Sequence, residues 1–60
     1  MPYNEYRQQA EQYYNIAIRN LEDGNRMTAL SHLQLAKAIA TKNNLYDLIR
    51  KIDALMNQIS

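Results

Sequence analysis

The chain has no cysteine, tryptophan or phenylalanine, and one glycine, one proline and one histidine among 60 residues. Without cysteine there is no disulfide framework and no Cys-His zinc site. A domain of this size hides only about 60% of the surface its unfolded chain exposes. With the usual staples missing, stability must come from close helix packing or from association with another chain. Scarce glycine and proline, set against abundant Ala, Leu, Gln, Lys, Arg and Glu, exclude a turn-rich β architecture and favour helix throughout.

Charge excess is also lacking. Lys and Arg number 7 against 6 for Asp and Glu, a net +1, so no global field steers the molecule to phosphate backbones or anionic lipid. The halves differ little: residues 1–30 carry three cations and four anions, and residues 31–60 carry four and two. No apolar run approaches the roughly 18 residues of a membrane span. The stretch 1–12 holds Glu5, Arg7, Gln8, Gln9, Glu11 and Gln12 where a secretory leader needs an apolar run. The expectation is a cytoplasmic protein with no leader and no membrane association.

What is present is helical periodicity in three segments, predicted over residues 3–22, 26–41 and 45–59 of a single domain spanning 1–60. In the first, Pro2 suits an opening turn, where its missing N–H costs nothing. Tyr6, Ala10, Tyr13, Ala17 and Leu21 share one stripe, widened by Ile16. Asp23-Gly24-Asn25 is a reversal, with Gly24 free to take the left-handed conformation and Asn25 able to cap the next helix. Ala29, Leu33, Ala36 and Ala40 give the second helix a narrow face of mostly small residues, which Met27, Leu30, Leu35 and Ile39 broaden. Lys42-Asn43-Asn44 breaks the chain again, with Asn44 as the expected N-cap and Asp47 an acid in the first turn of helix three. Leu45, Leu48, Ile49, Ile52, Leu55, Met56 and Ile59 make that helix the most amphipathic. Connections this short bring consecutive helices together antiparallel, so the predicted fold is all-α, a three-helix antiparallel array.

Candidate chemistry is sparse. His32 has no cysteine, and no carboxylate three or four residues away on its helix, so it reads as a boundary residue rather than a metal ligand. No nucleophile, base and orienting acid can be assembled from Thr28, Ser31, Thr41 and Ser60. No enzyme activity, cofactor or metal is expected. Asp47 and Lys51 read as an i,i+4 surface pair. The five tyrosines are the oddity, since Tyr3, Tyr6, Tyr13 and Tyr14 crowd helix one: tyrosine suits a half-exposed interface, and the other reading is that Tyr6 and Tyr13 are core and Tyr3 and Tyr14 incidental. Tyr14 and Ile18, one turn apart and off the main stripe, are the preferred contact pair.

Tyr13, Ile16, Ala17, Gly24, Ala29, Leu33 and Ala36 together resemble a tetratricopeptide repeat, the 34-residue helical hairpin, over residues 10–43. Asn20 and Thr41 stand where that repeat has tyrosine and proline. The register does not continue, because a next repeat would bury Asp47 and Arg50; helix three is expected to close the hairpin. A lone repeat does not usually bury its own face, so the resemblance implies a capped hairpin or stacking between chains. It also implies binding of a protein segment on the inner surface of helix one, here Glu11, Tyr14, Asn15, Ile18 and Glu22. Leu21-Glu22-Asp23-Gly24-Asn25, Ala29-Leu30 and Ile49-Arg50-Lys51-Ile52 resemble the three-helix microtubule-interacting and trafficking domain, which takes partner helices into its grooves. The resulting expectation is a non-enzymatic adaptor or regulator that binds a protein partner and self-associates as a homodimer. The alternative is a small helical nucleic-acid-binding regulator using Lys37, Lys42, Arg50 and Lys51, with Arg19 and Arg26.

Overall fold

In the computed structural model the described residues run from 2 to 59, with side chains described from Glu5 onward, so expectations for the side chain of Tyr3 and for Ser60 lie outside them. Among the described residues there are three helices: α1 (Pro2–Glu22), α2 (Arg26–Lys42) and α3 (Tyr46–Ile59). Among the described residues there is no strand. α1 and α2 form a closely packed hairpin, while α3 leans chiefly on α2 and touches α1 much less. Arg7, near the start of α1, meets Asp47 at the start of α3. These two helices therefore run the same way, opposite to α2, in an elongated body of 35 × 17 × 13 Å.

The enclosed core is built largely from the smallest side chain that has a Cβ. Ala10, Ala17, Ala29, Ala36 and Ala40 are all completely buried, together with Leu33, Leu45, Leu48 and Ile52. Alanines at the α1–α2 contact let the two backbones approach, since the distance between packed helices is set by the side chains between them. Leu33, Leu45 and Ile52 are the largest fully buried side chains and supply most of the enclosed bulk. Tyr13, Tyr14, Leu21, Ile39, Ile49, Leu55, Met56 and Ile59 pack around this centre while remaining partly exposed. Two members of the α1 stripe lie outside it: Tyr6 is 44% and Ile16 39% exposed. Both lie on the flank of α1 turned away from α3, where no third helix covers them.

The two reversals use the same device. After α1, the Gly24 N–H donates to the Leu21 carbonyl (3.1 Å) and the Asn25 N–H to that of Asn20 (2.7 Å). After α2, the Asn44 N–H donates to Thr41 (3.2 Å) and the Leu45 N–H to Ala40 (2.8 Å). Each is a Schellman closure, which satisfies the last helical carbonyls and places one residue in the left-handed region. Gly24 takes that place with φ +81° and Asn44 with φ +58°.

This corrects the expected role of Asn44. It ends α2 instead of capping α3, because the closure needs a left-handed residue at 44 and asparagine tolerates that conformation better than most. Leu45, not Asn44, is the residue before α3, and its carbonyl accepts the Ile49 N–H at 3.0 Å. Its side chain is buried, so at this position core packing takes precedence over a polar cap. Asn25 likewise makes no side-chain cap hydrogen bond, its ψ of +73° falling short of the extended value typical of that position.

Two outcomes follow from this packing. Ala29→Leu should destabilise the chain by about 1–3 kcal/mol through overpacking, while Ala38→Leu, on the exposed side of the same helix, should change stability by less than about 0.5 kcal/mol; urea unfolding followed by helicity measures both. Gly24→Ala should cost about 1–2 kcal/mol even though an added Cβ would meet nothing within 4 Å, because the cost lies in the backbone; an equal loss on Ala38→Gly and none on Gly24→Ala would overturn this account of the turn.

Candidate functional site

α1 presents two flanks, one on each side of its buried alanine line. Residues seven apart fall on one stripe, so Arg7, Tyr14 and their neighbour Ile18 lie toward α3, whereas Tyr6, Tyr13 and Asn20 lie on the other side. The contacts agree with this division.

On the flank toward α3, the Arg7 guanidinium holds the Asp47 carboxylate with two hydrogen bonds, of 2.9 and 3.3 Å. The paired geometry gives this ion pair directionality as well as charge. One turn further along α3, Lys51 Nζ stands 4.7 Å from the centre of the Tyr14 ring, a cation–π contact worth about 0.5–1 kcal/mol at exposed sites. The expected Asp47–Lys51 pair within α3 is thus replaced by two contacts reaching across to α1. Lys37 on α2 pairs with Asp53 on α3 at 2.8 Å. α3 is therefore tied down on both sides by charge while Leu48 and Ile52 bury its centre.

The five residues expected to bind a partner are not all alike. Glu11, Asn15 and Glu22 are exposed on α1; Tyr14 and Ile18 are half-buried beside α3. Tyr14 already packs on the core and carries Lys51 on its face. The group forms one continuous strip along α1, with its apolar members nearest α3 and its carboxylates farther out.

On the opposite flank, the Tyr13 and His32 rings stack at 6.0 Å and 20°, and His32 Nδ1 lies 2.8 Å from Asn20 Oδ1. This contact ties the last turns of α1 to α2. His32 is bound into the hairpin, and among the described residues no group of three His, Cys, Asp or Glu side chains is placed to hold a metal ion. Around this cluster lie Tyr6, Ile16 and Leu35, exposed by 44%, 39% and 48%. The sequence placed Tyr6 and Ile16 on the main stripe of α1; the 3-4-3-4 spacing of Tyr6, Gln9, Tyr13, Ile16 and Asn20 is the signal that marks them as a second face.

At the far end of the molecule, Leu21, Gly24, Arg26 and Ile59 border an open hollow of about 390 Å³. It is shallow and mixed in character, with no convergent set of polar groups. Among the described residues, no helix is long and apolar enough to cross a membrane. Compared with known protein families, with characterised proteins and with solved structures, the chain matches none.

The Asp47 carboxyl is held below the ordinary 3.8, first by the hydrogen bond from Arg7, against an opposing effect of desolvation, and further by the Arg7 charge and the backbone N–H groups of Leu48 and Asp47. A carboxylate with a depressed folded-state pKa contributes stability above its unfolded-state pKa and loses it as pH falls through the folded value. Asp47→Asn should therefore unfold at lower temperature than the parent chain near neutral pH, with the gap closing below the ordinary aspartate range and narrowing in high salt. Thermal melts across pH and ionic strength provide the check, and a gap independent of pH would refute the assignment.

Proposed function

We infer that this chain is a non-enzymatic interaction module, a small adaptor or regulator acting by binding another protein. One observation carries this reading. The enclosed core holds nine residues, five of them alanine, while Tyr6, Ile16 and Leu35 stay well exposed on the outside of the hairpin. A chain that places bulky apolar side chains around a core of small ones is suited to covering them with a partner. The strip Glu11, Tyr14, Asn15, Ile18 and Glu22 is the proposed seat for a partner segment. Its Tyr14–Ile18 edge offers apolar contact, and its Glu11 and Glu22 carboxylates favour a helix or peptide carrying basic residues. A cytoplasmic location fits a chain without cysteine.

The nucleic-acid reading is the weaker alternative. Of the four cations it draws on first, Lys37 is engaged by Asp53 and Lys51 by the Tyr14 ring, leaving no dense cationic patch to release counterions from a phosphate backbone.

A display library of basic amphipathic helical peptides, panned on the whole chain, tests the first reading. Binding in the micromolar range should fall at least about tenfold in Ile18→Glu with helicity retained, and should be unaffected by Arg50→Ala. Failure to select any peptide, together with duplex DNA or RNA binding that falls steeply with added salt, would replace this reading with the alternative.

A further inference from the structure

The face of the hairpin opposite α3 has the composition of an interface and the symmetry of a self-complementary one. Its centre consists of Tyr6, Tyr13 and Ile16 from α1 and His32, Leu35 and Ile39 from α2, with no carboxylate, lysine or arginine among them. The outward side of α3 carries Asp47, Arg50 and Asn57 beside Tyr46, which is 63% exposed. One side of the array is covered by α3, and the other leaves Tyr6, Ile16 and Leu35 exposed.

Charges at the edge of this face identify what could cover it. Along α1, Tyr6, Gln9, Tyr13, Ile16 and Asn20 follow the alternating spacing of three and four that marks a helix–helix seam. Beside that seam, Glu5, Gln12 and Arg19 recur every seven residues, an acid at one end, an uncharged amide in the middle and a base at the other. A parallel pairing of two such helices would set Glu5 against Glu5 and Arg19 against Arg19. An antiparallel pairing sets each Glu5 against the Arg19 of the other copy, twice per dimer, with the two Gln12 amides meeting between them. The Tyr13–His32 stack places the middle of α1 level with the stretch of α2 just past His32. A two-fold axis passing near Gln12 therefore also passes near Leu35, which is 48% exposed. The same operation then lays α2 on α2 with Leu35 against its counterpart.

We propose that the Tyr6–Ile16–Leu35 face binds a second copy of this chain, the two hairpins packing face to face about a two-fold axis perpendicular to their helices, as an antiparallel four-helix layer flanked by the two α3 helices. The proposal rests on the reading of the chain as an interaction module and names the partner of one of its faces. The arrangement is isologous, as closed dimers require. It leaves the Tyr14–Ile18 strip, on the other flank of α1, free for a different protein.

Sedimentation equilibrium of the whole chain over a wide concentration range is the test. The parent chain should reach twice its single-chain mass. Leu35→Glu sets two like charges beside the axis and should weaken the dimer at least about tenfold; since Leu35 is exposed, helicity should persist. Glu5→Arg alone and Arg19→Glu alone should each weaken it about three- to tenfold, and the double exchange should restore it, because the swap regenerates both pairs. A monomer at every concentration, a dimer indifferent to Leu35→Glu, or a double exchange that fails to rescue would each overturn the proposal; so would dissociation by Lys42→Glu without any effect of Arg19→Glu, which would mean that α1 faces α2 of the other copy. Peptide binding through Ile18, measured on the monomeric Leu35→Glu chain, reports separately on the partner-segment reading.

Discussion

The close contact of α1 and α2 across fully buried alanines is the constraint on which the rest of the structure depends. Ala10 and Ala17 on one helix and Ala29, Ala36 and Ala40 on the other leave little side-chain volume between them, so the backbones can approach and the hairpin is nearly filled by its own main chain. Bulk has to enter from elsewhere. It comes from Leu33 and from the inner side of α3, where Leu45, Leu48 and Ile52 complete the core. The third helix is thus required for enclosure, yet it can cover only one side of so thin a hairpin.

The distribution of charge follows from that geometry. α3 buries few side chains, and its hold on the hairpin is supplemented at its edges by Arg7–Asp47, by Lys37–Asp53 and by Lys51 over Tyr14. Exposed ion pairs are individually weak. Placed on both sides of one helix, however, they fix its orientation more than they add to its stability, since a rotation of α3 that buried a different stripe would separate all three. Two of the cations used in this way, Lys37 and Lys51, are thereby engaged in packing α3 against the hairpin.

The two sides of the hairpin differ in what covers them. One flank of α1 is occupied by contacts to α3, beside the strip of Glu11, Tyr14, Asn15, Ile18 and Glu22. The other holds a tyrosine–histidine stack surrounded by exposed apolar residues. The alanine-rich centre has room for few bulky side chains, so several apolar residues of this small domain remain at the surface.

Much of this was legible in the sequence. The three helices, the reversal at Gly24, the inward line of alanines and the amphipathic stripe of α3 follow from periodicity and local propensity, which act over a few residues and need no knowledge of the neighbours. Tertiary structure decided what local rules cannot. Asn44 closes α2 rather than opening α3 because Leu45 is drawn into the core. Asp47 finds Arg7, forty residues away, instead of Lys51 one turn away. Tyr6 and Ile16 stand outside because the third helix, which has one side and a single hydrophobic stripe, lies against the opposite flank. A periodic pattern states which residues share a face; only the packed arrangement determines whether that face is covered.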